Sequence, residues 1–347
     1  MRFLLLGLAL ATVAACRDQA NGGGAGARDQ ITAVGSSTVY PFTTMIAEQF
    51  VAADPDAAAP VIESTGTGAG MRLFCAGVGP AHPDIVDASR RIKASEYRDC
   101  AENGARDILE IQVGIDGIAF AEAEGGPSLQ LTPRDLYLAL AAAPEGRPNT
   151  RRLWRDVNPA LPATPILVYG PPATSGTRDA LTELILTPGC EAADPAAAAL
   201  AKADPDAHKA LCTRVREDGA YVDAGENDNL IVQKLQSNPR AIGVFGYSYL
   251  EENRGAVRGV PLSAVSPSYE AIASGRYPGS RPLYIYVKKA HLGAIPGLTD
   301  FLKLYAAAWG PEGPLVRRGL IAAPEAVRRR SARIIAGQIP LDPATLQ

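Results

Sequence analysis

An α/β fold in two lobes is the expectation for this chain, and three observations carry it. From residue 31 onward, short strand-like apolar runs alternate with amphipathic helical ones, the pattern of α/β layers with a mostly parallel sheet in each half. The length of 347 residues exceeds one ordinary hydrophobic core and points to two domains of about 150 residues each. One long apolar run, residues 110–121 (EIQVGIDGIAFA), has the character of a segment that passes between two domains.

Residues 31–34 (ITAV) read as the first strand, followed by a helix through residues 45–50. Residues 61–64 (VIES) form the second strand, with a helix over 71–76, and residues 84–88 (DIVDA) form the third. After the long run come a helix near 132–143, a strand at 165–169 and a helix over 177–186. Gln233 and Leu235 lie in a helical stretch, 241–249 (AIGVFGYSY) and 283–287 (LYIYV) read as strands, and helices finish the chain. Residues 193–207 are an alanine-rich helical or loop insertion, and Arg328, Arg329 and Arg330 are a solvated helix face. No internal repeat is visible.

The first fifteen residues are not fold. Met1 and Arg2 are followed by an apolar run to Ala15, the pattern of a secretory signal and too short for a membrane-spanning helix of about 20 residues. The ending Val13-Ala14-Ala15-Cys16 resembles a bacterial lipobox, in which the signal is removed and Cys16 is lipidated. Residues 16–29, with three consecutive glycines, then form a flexible tether. The expectation is a periplasmic lipoprotein, held to a membrane through its N-terminal lipid alone.

Of five cysteines, setting Cys16 aside leaves Cys75, Cys100, Cys190 and Cys212, an even number in an oxidising compartment. Three pairings are open; the sequential one, Cys75–Cys100 with Cys190–Cys212, closes two short loops. With no CxxC and three isolated histidines, no metal and no cofactor is expected. The formal net charge of −3 offers no broad attraction for nucleic acid, so an anion would have to be held by local donors.

Such donors recur. Three Gly/Ser/Thr runs open straight into helical stretches: Gly35-Ser36-Ser37-Thr38, then Thr65-Gly66-Thr67-Gly68-Ala69-Gly70, then Thr174-Ser175-Gly176-Thr177-Arg178. A helix start carries unpaired N–H groups and partial positive charge, and small residues let an anion approach closely. All three fall beyond strand ends, where ligands of α/β sheets bind. The second run is no dinucleotide fingerprint, because Met71 stands where the third glycine belongs. Arg178 adds a guanidinium able to hold an oxyanion with two parallel bonds. After the third strand, Ser89 precedes Arg90 and Arg91; neighbouring side chains diverge, and Arg90 is favoured to face inward. Glu226-Asn227-Asp228-Asn229 is a further helix start, read as capping. No GxSxG elbow, no GK[ST] loop and no histidine beside a nucleophile is present, so an enzyme is not expected.

In combination, VGSSTVYPF (34–42), STGTGAGMRLFCAG (64–77), DASRRI (87–92), GPPATSGTRDAL (170–181) and AGENDNLIVQKL (224–235) resemble the phosphate-specific substrate-binding proteins of bacterial ABC transporters. The resemblance runs in order over roughly residues 31–290. It implies a type 2 periplasmic binding protein fold, in which two lobes joined by two crossovers close on the anion. The implied lobes are residues 30–115 with 260–347, against 116–259. It implies phosphate contacts at Ser37, Thr38 and the Val39 backbone, at Thr67 and Ser89, and at Ser175, Gly176 and Thr177. The implied partners of this monomer are inorganic phosphate and the permease subunits. Two positions depart from the family pattern: Arg90 stands where many members have an aspartate, and Pro171 where many have an arginine. The departures move the cation to Arg90 and bear on the choice of phosphate over sulfate, with Asp87, Asp179 and Asp228 as candidates to restore an acceptor. The alternatives are a receptor for sulfate, a phosphate sensor, or a surface interaction protein without transport.

Overall fold

The computed structural model describes residues 28–173, 175–225 and 228–346. The expected signal, Cys16 and nearly all of the tether lie outside the described residues, as do Thr174, Glu226 and Asn227.

Nine strands are present among the described residues: β1 Thr32–Gly35, β2 Val61–Ser64, β3 Ile85–Ala88, β4 Ile108–Ala123, β5 Val168–Gly170, β6 Tyr221–Asp223, β7 Ile242–Gly246, β8 Val257–Gly259 and β9 Ser280–Lys288. The first half of the chain carries helices α1 Tyr40–Ala53, α2 Thr67–Phe74, α3 Ala94–Glu102, α4 Pro133–Leu140, α5 Trp154–Val157 and α6 Gly176–Ala180. The helical path continues through a π-helical stretch, Leu181–Leu186, into α7 Thr187–Ala193, α8 Pro195–Ala203 and α9 Pro205–Thr213. Later helices are α10 Asp228–Ser237, α11 Tyr247–Glu252, α12 Tyr269–Ala273, α13 Leu298–Ala308, α14 Pro314–Arg317 and α15 Glu325–Gly337.

The strands hydrogen-bond in the order β2-β1-β3-β9-β4-β7-β5-β6, with β8 also on β4. β4 is the seam. Its residues up to Gly117 pair with β9, whereas Ile118 onward pairs with β7 and then β8. The long apolar run therefore does pass from one half of the sheet to the other, and its side chains are buried nearly throughout. The expectation of mostly parallel sheets holds only at the outer ladders, β1–β2, β1–β3, β5–β6 and β5–β7. Around the seam every ladder is antiparallel, because β9 and β7 both run back against β4.

Both faces of the β1–β3–β9 half are covered. Ile31, Phe42, Ile46, Leu109, Ile285, Phe301 and Tyr305 pack on one face, and Val34, Met71, Phe74, Val86, Ile92 and Tyr286 on the other. A separate core gathers Phe120, Tyr137, Trp154, Ile185, Ile231 and Phe245 around β5 and β7. A strand covered on both faces reads as a continuous apolar run, which is why β3 and β7 were visible in the sequence. The helix after the long run begins on a reciprocal cap: the Asp135 N–H donates to Thr132 Oγ1 at 3.1 Å, and the Thr132 N–H to Asp135 Oδ2 at 3.0 Å.

The sequential cysteine pairing is formed, Cys75–Cys100 tying the end of α2 to α3 and Cys190–Cys212 tying α7 to α9. Residues 247–249, expected to extend the β7 strand, instead start α11. The alanine-rich insertion is helical, as α8 and α9. Among the described residues no helix is long and apolar enough to cross a membrane.

Candidate functional site

The carboxyl ends of β1, β2 and β3 meet because two glycines let backbone touch backbone. A Cβ on Gly35, whose φ is +134°, would lie 2.1 Å from the Asp87 carbonyl oxygen, and one on Gly70 would lie 2.6 Å from Gly35 Cα. Only residues without side chains allow this approach. It seats the first loop, helix α2 and the β3 end as one unit. The Ser36 N–H donates to the Asp87 carbonyl at 2.9 Å, and the Thr38 N–H to Ser36 Oγ at 3.2 Å. The Ser89 N–H donates to Thr67 Oγ1 at 3.1 Å, and the two hydroxyls share a further hydrogen bond of the same length. α2 starts with no side-chain cap bond, and the first N–H groups of any helix have no partner within it.

The third loop reaches this unit from the other half of the sheet. A Cβ built on Gly176 would sit 3.5 Å from Thr38 Cα, an ordinary contact distance. Ser37 Oγ donates to Asp179 Oδ2 at 2.6 Å across 142 residues of sequence. Ser175 caps its own helix, accepting from the Thr177 N–H at 3.2 Å. Ser37, Thr38, Thr67, Ser175, Gly176 and Thr177 are all partly accessible, while Val39 is buried. Beside these contacts a cleft of about 600 Å³ is lined by Thr67, Gly68, Ser89, Arg90, Glu183 and Arg281, among others.

Each arginine expected at the site is engaged by other groups of the protein. Arg90 is on the cleft wall, but its Nη1 and Nη2 donate to the two oxygens of Glu96 at 2.9 and 2.7 Å. That bidentate bond holds the Arg90 guanidinium charge more firmly than usual. Arg91 also lines the cleft and does not simply turn away; its Nε and Nη2 donate to Glu110 and its Nη1 to the Thr345 carbonyl. Arg178 stacks over the Tyr221 ring at 4.3 Å and donates to the Pro171 carbonyl at 3.3 Å, which the Tyr221 hydroxyl also reaches. Its guanidinium thus braces the third loop from behind, a role the residue order gave no sign of.

A guanidinium that sequence reading did not single out is Arg281, at the start of β9 and 7% exposed. Its Nε donates to Asp116 Oδ2 at 3.2 Å, its Nη2 to Thr38 Oγ1 at 2.9 Å, and its Nη1 pairs with Glu183. Nothing local in SRPLYIYV marks it. The only available signal was a strand-initial arginine in an otherwise buried run.

Of the three candidate acceptors, Asp179 touches the first loop. Asp87 lies beneath it, accepting from the Thr43 hydroxyl at 2.9 Å, and burial pushes its carboxyl up to about 8 against that hydrogen bond. Asp228 is buried at the start of α10 and accepts from the Gly246 N–H at 3.2 Å.

A family model described as a PBP superfamily domain matches residues 20–308. Protein SphX of Synechococcus elongatus is 31% identical over 268 residues, 76% of this chain and 69% of that protein. The phosphate-binding protein PstS of Staphylococcus saprophyticus is 28% identical over 295 residues, 83% of this chain and 79% of that protein. Among solved structures, a possible phosphate binding protein from Planctomyces limnophilus is 29% identical with a TM-score of 0.73, covering 89% of this chain and 98% of that one.

Proposed function

This chain belongs to the PBP superfamily, and on that premise we propose that it binds inorganic phosphate between the two halves of its sheet and passes it to an ABC permease. The observation that carries this reading is the meeting of three hydroxyl-rich loops from both halves, with Gly176 against Thr38 and Thr67 bonded to Ser89 beside one cleft. The proposed donors are the Ser37 and Thr38 hydroxyls, the Val39 amide, Thr67, Ser89, Ser175 and the Gly176 and Thr177 amides. Neutral donors at helix starts replace water around a tetrahedral anion, and a partly desolvated cleft strengthens each bond. Arg90 contributes positive potential from the wall, and Arg178 stiffens the third loop. Asp179, already within reach of Ser37, is the proposed acceptor for a protonated phosphate oxygen.

In this reading the lobes are residues 30–115 with 260–347 and residues 116–259, with one crossover within β4 and the other just after β8. The mature protein is a monomeric periplasmic lipoprotein attached through Cys16, and it binds without catalysing. Micromolar affinity would correspond to about −8 kcal/mol net of closure.

Calorimetric titration with inorganic phosphate tests the proposal: saturable heat at one site per chain supports it, and no heat ends it. Sulfate is the second reading, favoured by one observation, that Arg90 follows Ser89 where an accepting carboxylate would select a protonated anion. Competition of phosphate against sulfate in the same cell decides between them.

A further inference from the structure

Arg281 carries more carboxylate than it needs. A guanidinium has five N–H donors in a fixed fork. Here Asp116 takes Nε, Thr38 takes Nη2 and Glu183 takes Nη1. The two carboxylates are not equivalent. Asp116 sits directly opposite Arg281 in the antiparallel β4–β9 ladder, so the backbone holds it there, and its side chain is only 19% exposed. Glu183 arrives from the π-helical stretch after the third loop, on a longer side chain that is 57% exposed. π-helical insertions inside α-helices occur frequently at functional sites.

The three partners also belong to different parts of the molecule. Thr38 is in the first loop and Arg281 is on β9 at the seam, while Glu183 follows the third loop on the other half. The Arg281–Glu183 pair therefore bridges the cleft next to Thr67, Ser89 and Arg90. Glu183 also lies close enough to Arg90 to favour that guanidinium's charged form.

We propose that Arg281 is the guanidinium that reads the bound anion, and that the Glu183 carboxylate is a built-in stand-in that the anion displaces. The proposal rests on the phosphate reading above. With Asp116 fixed and Arg90 held by both oxygens of Glu96, Nη1 of Arg281 is the donor that an incoming oxyanion gains when Glu183 swings out. Thr38 Oγ1 positions the fork, so the first loop and the cation arrive together. Glu183 then serves two ends: it keeps a buried cation paired in the free protein, and its negative charge opposes anions too weak to replace it.

Three variants test the assignment by calorimetric titration with inorganic phosphate, in parallel with unmodified protein. Arg281→Lys keeps the charge but not the fork, and is expected to weaken binding by about 100-fold or more, which is about 2.7 kcal/mol. Glu183→Gln removes the competitor and is expected to tighten binding by about 10-fold. Arg90→Ala, which removes a guanidinium already held by Glu96, is expected to weaken binding less than Arg281→Lys does, and a larger loss would make Arg90 the reading guanidinium instead. If unmodified protein binds neither phosphate nor sulfate, the function itself is wrong. If it binds, and Arg281→Lys binds equally well, the assignment of Arg281 is overturned. A Glu183→Gln protein with unchanged or weaker affinity overturns the stand-in. Because Glu183 is exposed, that variant remains decisive even if Arg281→Lys fails to fold. Small-angle scattering of ligand-free Glu183→Gln adds a second readout: loss of the bridge should enlarge the radius of gyration, and no change counts against the bridge.

Discussion

On the β1–β2–β3 side of the cleft backbone is packed against backbone, with no space for even a methyl group at Gly35 or Gly70. On the β5 side the third loop meets its neighbour at ordinary contact distance, Gly176 against Thr38, and runs into a helix that changes from α to π within five residues. One wall is seated by shape, the other by reversible side-chain bonds such as Ser37 to Asp179 and Arg281 to Glu183. A receptor that must close on a small ion and release it needs both. A rigid wall places donors at no cost in ordering, and an adaptable wall lets the closed state open again.

The largest expected effect tests the rigid wall. Gly35→Ala adds a Cβ 2.1 Å from a carbonyl oxygen at a φ that favours glycine, and should cost about 3 kcal/mol or more of stability in denaturant unfolding. A variant as stable as the parent would show that this corner yields. Each wall also carries one disulfide, closing sequence separations of 25 and 22 residues. Replacing either pair by serine should remove about 3 kcal/mol. Only loss of Cys75–Cys100, at the far end of α2, should also weaken phosphate binding, and equal losses of affinity from the two would erase the distinction between walls.

A smaller effect comes from Asp87 beneath the rigid wall. Its carboxyl has an ordinary value of 3.8 and is pushed up to about 8 by burial, so the native state keeps a proton that the unfolded chain releases. The stability contributed is complete below about pH 3.8 and is lost as pH rises toward 8. Asp87→Asn should therefore flatten the fall in unfolding free energy between pH 5 and 8, and an unaltered slope would assign that fall elsewhere. The mildest changes probe the adaptable wall. Ser37→Ala removes one bond to Asp179 and should weaken binding by about 5-fold, near 1 kcal/mol. Gly176→Ala should leave the melting temperature unchanged and reduce affinity only a few-fold, measured by thermal scans and titration. A collapse of either would make the third loop as unforgiving as the first.

Much of this was legible in the residue order. The β4 crossing announced itself because a strand covered on both faces is mostly apolar, as residues 110–121 are apart from Glu110, Gln112 and Asp116. The three loops were legible because Gly, Ser and Thr before an amphipathic stretch have a local physical meaning. Residues 247–249 were misread because the apolar run that forms β7 continues unbroken into the buried face of α11, and period alone cannot separate the two. Arg90 drew attention as a basic residue after a strand, yet Glu96, six positions on, engages it.

Composition, spacing and periodicity carried the α/β character, the even set of four cysteines and the Gly/Ser/Thr loops at helix starts, because each depends on neighbours within a few residues or on simple parity. The surroundings of Arg281 were decided only by the folded chain. Arg281 gains its meaning from Asp116, Glu183 and Thr38, which are 165, 98 and 243 positions away, and are brought to it by strand register and by the closing of one sheet half on the other. Charge pairing at that range is set by three-dimensional packing, and no local pattern encodes it.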